Sequence, residues 1–106
     1  MTQNEAYRKK AHHLIPAGEH TYSRKDDVFP ANAPGIIEQT KGVYCWDADG
    51  NKYLDYGMAC RSVTVGYGFQ RISDAAIEYI KKGNTATKAS TVEVDAAETL
   101  VNLIPW

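Results

Sequence analysis

Apolar residues recur at helical spacing in three stretches and at strand spacing in the middle of the chain. Tyr7, Ala11, Leu14 and Ile15 stand at i, i+4, i+7 and i+8, predicting a helix over residues 3–15 that Pro16 and Gly18 end. Strands are predicted at Ile36–Lys41, Val43–Asp47 and Lys52–Tyr56, and Asp49-Gly50 supplies the turn between the last two. Ile72, Ala76, Tyr79 and Ile80 share one face of a helix over 71–82, with Lys81 and Lys82 at its negative end and Gly83 as its stop. Ser90 and Glu93 form a capping-box pattern opening a last helix whose inward residues are Ala97, Leu100, Val101 and Ile104, stopped by Pro105.

Two stretches lack a period. Residues 19–35, punctuated by Pro30 and Pro34, make an irregular arm, and a long irregular stretch in a compact domain is usually functional or disordered. Residues 58–69, "MACRSVTVGYGF", read as a loop in which Gly66 and Gly68 reach conformations closed to other residues. The fold class is therefore α+β: a helix (1–18), the arm (19–35), an antiparallel meander (36–57), then a loop and two helices (58–106). The apolar face of the last helix has little else here to pack against, and the expectation is a segment of something larger.

Composition narrows the function classes. The length of 106 residues suits one domain, and 43% hydrophobic with 24% charged residues is ordinary for a globular chain. A formal net charge of −1 and the absence of a basic stripe argue against nucleic acid. No apolar run approaches the roughly 20 residues of a membrane span, and the first residues lack the apolar core of a secretory signal. Cys45 and Cys60 have no metal-ligand spacing, so free thiols and a cytoplasmic setting are expected.

Candidate chemistry is sparse. His12 and His13 point about 100° apart on a helix and His20 lies beyond the Pro16–Gly18 break, so solvated histidines are favoured over a metal site. Cys45 alternates with Val43 on one strand face and reads as a buried structural thiol. The run "DADGN" resembles the start of a calcium loop, but Gly50 comes too early and no closing Glu follows, so Asp47, Asp49 and Asp55 are read as turn residues. Gly66 and Gly68 would need a third glycine where Arg71 stands to make a dinucleotide loop. In the arm, Arg24 lies beside Thr21, Tyr22 and Ser23. It can present a fork to a carboxylate, or simply pair with Asp26 or Asp27.

The ordered set of motifs then resembles a known family. "PGIIEQTKGVYCWDADGNKYLDYG" resembles the N-terminal meander of class III, fold type I pyridoxal-phosphate aminotransferases. "LIPAGEHTYSR" and "STVEVDAAETLVNLIP" are similar to segments of the glutamate-1-semialdehyde aminomutases within that family. The resemblance spans essentially the whole chain. It implies that the complete enzyme moves an amino group through an aldimine of pyridoxal 5'-phosphate, acts on a small-molecule amino, keto or aldehyde substrate, and is a cytoplasmic homodimer. It implies that Arg24 contacts a substrate carboxylate and that Thr21 assists.

Departures from the family pattern suggest a different substrate. "MACRS" replaces a tryptophan-containing segment and puts Cys60 in the tryptophan's place with Arg61 beside it, so both join the substrate-binding candidates. Gly66-Tyr67-Gly68-Phe69-Gln70 replaces a histidine-rich segment, and "TATKAS" replaces the family's run before the last helix. The family's phosphate-binding turn and Schiff-base lysine follow later in its sequence, so no catalytic, cofactor-binding or metal-ligating residue is expected in this chain, which alone should not transaminate. The rival expectation is a free-standing, non-catalytic binding module with the same architecture.

Overall fold

Thr2 opens the first helix with a reciprocal cap. Its hydroxyl accepts from the Glu5 N–H (3.2 Å) while the Glu5 carboxylate accepts from the Thr2 N–H (2.9 Å). The computed structural model describes residues 1–104; Pro105, the expected stop of the last helix, lies outside them. Helix α1 runs Gln3–Leu14, one residue short of the expected end, and Ile15 leaves it in extended conformation. Three short 3₁₀ turns follow, Pro16–Gly18, Tyr22–Arg24 and Asp26–Val28, so the arm is a chain of tight turns rather than a featureless loop.

The meander forms as expected, with slightly shorter strands: β1 (Ile37–Lys41), β2 (Tyr44–Asp47) and β3 (Lys52–Leu54), in the order β1-β2-β3 and antiparallel throughout. A register irregularity between Ile37 and Gln39 interrupts the first ladder. Cys45 pairs with Thr40 on one side and Tyr53 on the other. The turn closes through the Gly50 N–H onto the Asp47 carbonyl, with Gly50 at φ +84°.

Alternation along β2 separates two environments. Cys45 (8% exposed) and Asp47 (3%) are buried, whereas Tyr44 is exposed and Trp46 half-buried. Lys52 lies 3.7 Å from the Tyr44 ring centroid and 5.5 Å from that of Trp46, its ammonium resting on the aromatic faces. The hairpin tip also supports α1. The Asp49 carboxylate accepts the N–H groups of Gln3 (2.7 Å) and Asn4 (3.2 Å), two of the donors that a helix leaves unpaired at its positive end. Asn4 in turn accepts the Ile36 N–H at 2.9 Å, tying α1 to the entry of the sheet.

The chain divides into two compact units, residues 1–69 and 70–106. In the second, α2 (Gln70–Lys81) and α3 (Thr91–Leu103) form close to the expected positions. Gly83 ends the first of these at φ +88°, and Ser90 Oγ donates to the Glu93 carboxylate (2.9 Å) at the start of the other. Neither helix has a fully buried residue. Leu100 and Val101, expected to face inward, are 52% and 57% exposed. The apolar stripe is present, and within this unit it is exposed.

Candidate functional site

The sequence candidates fall into two clusters with no hydrogen bond between them among the described residues. Arg24 and Thr21 lie in the arm, where Thr21 is the extended residue before the Tyr22–Arg24 turn and its carbonyl accepts the Arg24 N–H at 3.0 Å. His20 joins them: its Nδ1 lies 2.6 Å from Thr21 Oγ1, and its Nε2 lies 3.4 Å from Arg24 Nη1. A guanidinium only donates, so in the contact with Arg24 it is Nε2 that would accept. His20 was not a sequence candidate; its spacing of four from Arg24 was the available signal.

The alternative pairing of Arg24 with Asp26 or Asp27 is not formed. Asp26 is held by Arg8 Nε and by His12 Nε2, which lies 3.0 Å from both carboxylate oxygens. These bonds, that from His12 foremost, hold the Asp26 carboxyl below its ordinary value. His12 is exposed, in keeping with a solvated histidine, and the contact with Asp26 adds a partner that its spacing did not announce. Among the described residues Arg24 has no carboxylate partner.

The second cluster lies in residues 58–69, which are not a plain loop. Met58, Ala59, Cys60 and Arg61 all have positive φ (41°, 49°, 57° and 71°), a left-handed turn built from four non-glycine residues. Each such residue costs about 1–2 kcal/mol relative to right-handed backbone. Asp55 offsets part of that cost. Its Oδ1 accepts the N–H groups of Gly57 (2.8 Å) and Met58 (3.1 Å), and its Oδ2 accepts the Tyr67 hydroxyl (2.6 Å). Tyr67 is fixed through its backbone as well, exchanging hydrogen bonds of 2.9 and 2.8 Å with Gly42. Burial first, then the bond to Asp55, pushes the Tyr67 phenol up to about 12, so it remains a donor at neutral pH. Cys60 and Arg61 are exposed at the surface of this turn.

The other polar groups are structural. Asp47 accepts from the Asp49 and Asn51 N–H groups (3.0 and 2.8 Å), Asn51 Nδ2 (3.0 Å) and the Tyr53 hydroxyl (2.9 Å). The turn reading of these aspartates therefore holds. Burial, then the Asp55 and Asp47 charges, push the Cys45 thiol up, away from the reactive thiolate. The glycine segment is no phosphate cradle either, because the Tyr67 N–H between Gly66 and Gly68 is already spent on Gly42. No cluster of three or more possible metal ligands occurs among the described residues, and no helix among them is long and apolar enough to cross a membrane.

This architecture, a short helix and turn-rich arm leading into a three-stranded meander and two helices, is shared with pyridoxal-phosphate aminotransferases and aminomutases of fold type I, as the motif order implied. No family model matches the chain. It is 32% identical over 105 residues to glutamate-1-semialdehyde 2,1-aminomutase 2 of Lachnoclostridium phytofermentans, covering 99% of this chain and 24% of that protein. Among solved structures, the FumI protein of Sphingopyxis sp. MTA144, in its pyridoxal-phosphate internal aldimine form, superposes with a TM-score of 0.84 at 29% identity, covering 95% of this chain and 24% of that one. An omega-transaminase from Sphaerobacter thermophilus gives 0.82 at 23% identity, over 98% of this chain and 23% of its own, a likeness of fold. The chain thus spans about a quarter of the length of the relatives it matches, and it corresponds to an N-terminal segment of such enzymes.

Proposed function

We propose that this chain is the substrate-facing N-terminal segment of a class III pyridoxal-phosphate aminotransferase or aminomutase, cytoplasmic and homodimeric, in which Arg24 binds a substrate carboxylate. The observation that carries this reading is the Arg24 guanidinium, exposed in the arm without a carboxylate partner among the described residues while its nearest acidic neighbour, Asp26, is claimed by Arg8 and His12.

The lysine and pocket that hold the cofactor are assigned to the rest of the polypeptide. Bound there, pyridoxal phosphate supplies the electron sink for moving an amino group. The work left to this segment is binding and orientation. Arg24 supplies a planar, permanently charged fork; Thr21 and His20 steady it from one side. Cys60 and Arg61, exposed on the left-handed turn, are assigned to the same substrate site, where Arg61 adds a second cation and a substrate with a further anionic or strongly polar group is favoured.

Kinetics of the complete holoenzyme test the reading. Arg24→Ala is expected to raise KM for a carboxylate-bearing amino donor by roughly 100-fold, with a smaller change for an amine lacking the carboxylate. Equal KM changes for the two donors, or none, would remove Arg24 from the substrate site.

A further inference from the structure

Arg8 and His12 stand at i and i+4, on one face of α1, and both reach the same carboxylate, that of Asp26. They also hold the two ends of the arm. A Cβ on Gly18 would meet the His12 ring at 3.1 Å, and a Cβ on Gly35 would meet Arg8 Cδ at 3.0 Å. Gly18 just before the arm, Asp26 in its middle and Gly35 at its end therefore converge on two side chains of one helix. The cavity left among Arg8, His12, Gly18, Asp26 and Gly35 is about 10 Å³, room for a single water at most, so this cluster is not a ligand pocket.

The clasp lies two residues from Arg24. Lys25 is the shared residue between the turns Tyr22–Arg24 and Asp26–Val28. Its N–H donates to the Tyr22 carbonyl (3.2 Å), and its own carbonyl accepts from Val28 (3.3 Å). Fixing Asp26 thus fixes the backbone that aims Arg24. We propose that Asp26, clasped by Arg8 and His12, is a positioning residue that sets the aim of Arg24 toward the substrate carboxylate.

This proposal rests on the reading of Arg24 as the carboxylate fork, so its test has an arm independent of activity. Trypsin cuts the Arg24–Lys25 bond, and the Lys41–Gly42 bond at the end of β1 serves as an internal control. The double variant Arg8→Gln, His12→Gln, which removes both partners of Asp26 and leaves the residues flanking the cut bond unchanged, is expected to speed cleavage at Arg24 about tenfold with the control unchanged. In the complete holoenzyme it should raise KM for the carboxylate donor about tenfold with kcat within about twofold, whereas Arg8→Lys, which retains the charge, stays near the parent values. If the double variant also speeds the control cleavage, His12→Gln alone, which removes one partner only, replaces it, with a smaller rise expected in both readouts.

Unchanged cleavage at Arg24 overturns the clasp, whatever KM does. Faster cleavage with an unchanged KM, when Arg24→Ala raises KM, overturns the positioning role. If Arg24→Ala leaves KM unchanged, the substrate reading has failed and the positioning role falls with it, while faster cleavage would still identify Asp26 as an arm restraint.

Discussion

Two aspartates in this chain run the same device to different ends. Asp47 accepts backbone N–H groups from the residues two and four ahead, and a tyrosine hydroxyl. Asp55 accepts N–H groups from two and three ahead, and again a tyrosine hydroxyl. At Asp47 the left-handed position is given to Gly50, with nothing within 4 Å of a would-be Cβ, and the turn is relaxed. At Asp55 the left-handed positions are occupied by Met58, Ala59, Cys60 and Arg61. Side chains are retained there despite the backbone cost, and strain of this kind is concentrated where side chains face ligands. The first aspartate closes a relaxed turn; the second braces a left-handed one against its own preference.

The largest effect should come from removing the framing carboxylate. Asp47→Ala leaves the Asn51 amide and the Tyr53 hydroxyl without their acceptor in the sheet, and the melting midpoint is expected to fall by roughly 10 °C. The Asn51 side-chain bond first, helped by the backbone amides and Tyr53, holds the Asp47 carboxyl below its ordinary 3.8. Its contribution is therefore complete above that value and disappears as pH falls through the depressed one. Thermal melts of parent and variant should converge on acidification; a gap that stays constant below pH 3.8 would show that the carboxylate is not the source.

How much of this was legible in the sequence follows from how local each feature is. Alternation around Asp49-Gly50 and the Ser90–Glu93 spacing are local signals, and the meander and last helix formed where they pointed. Thr2-x-x-Glu5 carries the same capping signal and sets the start of α1. The Asp26 clasp joins residues 14 and 18 apart, and the Asp55–Tyr67 bond spans 12, so no short-range pattern announces either. The left-handed turn was read as a loop because Met, Ala, Cys and Arg do not signal positive φ. For Arg24 the arm's residues left a carboxylate fork and a local ion pair both open, and only the family resemblance favoured the fork, since an exposed arginine has no periodicity to betray it; Arg61 became a candidate through a departure from the family pattern.

A smaller effect is expected at the second aspartate. Tyr67→Phe removes one bond to a charged acceptor and should cost about 1.5 kcal/mol in denaturant unfolding. The raised phenol fixes the sign with pH. The contribution is complete below the ordinary value of 10.0, and fades as pH rises through about 12. The parent should lose stability over that alkaline window more steeply than Tyr67→Phe, with tyrosinate absorbance reporting the titration. Equal alkaline slopes would mean that Tyr67 does not hold Asp55, and the left-handed turn would need another anchor.

The smallest effects, opposite in sign, set the two turns directly against each other. Gly50→Ala places a Cβ at φ +84° in open space, so backbone preference alone decides, and a loss of about 1 kcal/mol is expected. Ala59→Gly does the reverse at φ +49°. Relief of the left-handed penalty, about 1–2 kcal/mol, exceeds the added freedom of a glycine in the unfolded chain, about 0.4–1 kcal/mol. A gain of roughly 0.5 kcal/mol in urea unfolding is the expected balance. Such a gain, with KM for the carboxylate donor unchanged in the complete holoenzyme, would locate the strain in the backbone and separate it from the neighbouring Cys60 and Arg61 side chains. A loss at Ala59→Gly comparable to that at Gly50→Ala would mean that the turn is not strained, and the contrast between the two aspartates would reduce to one of sequence alone.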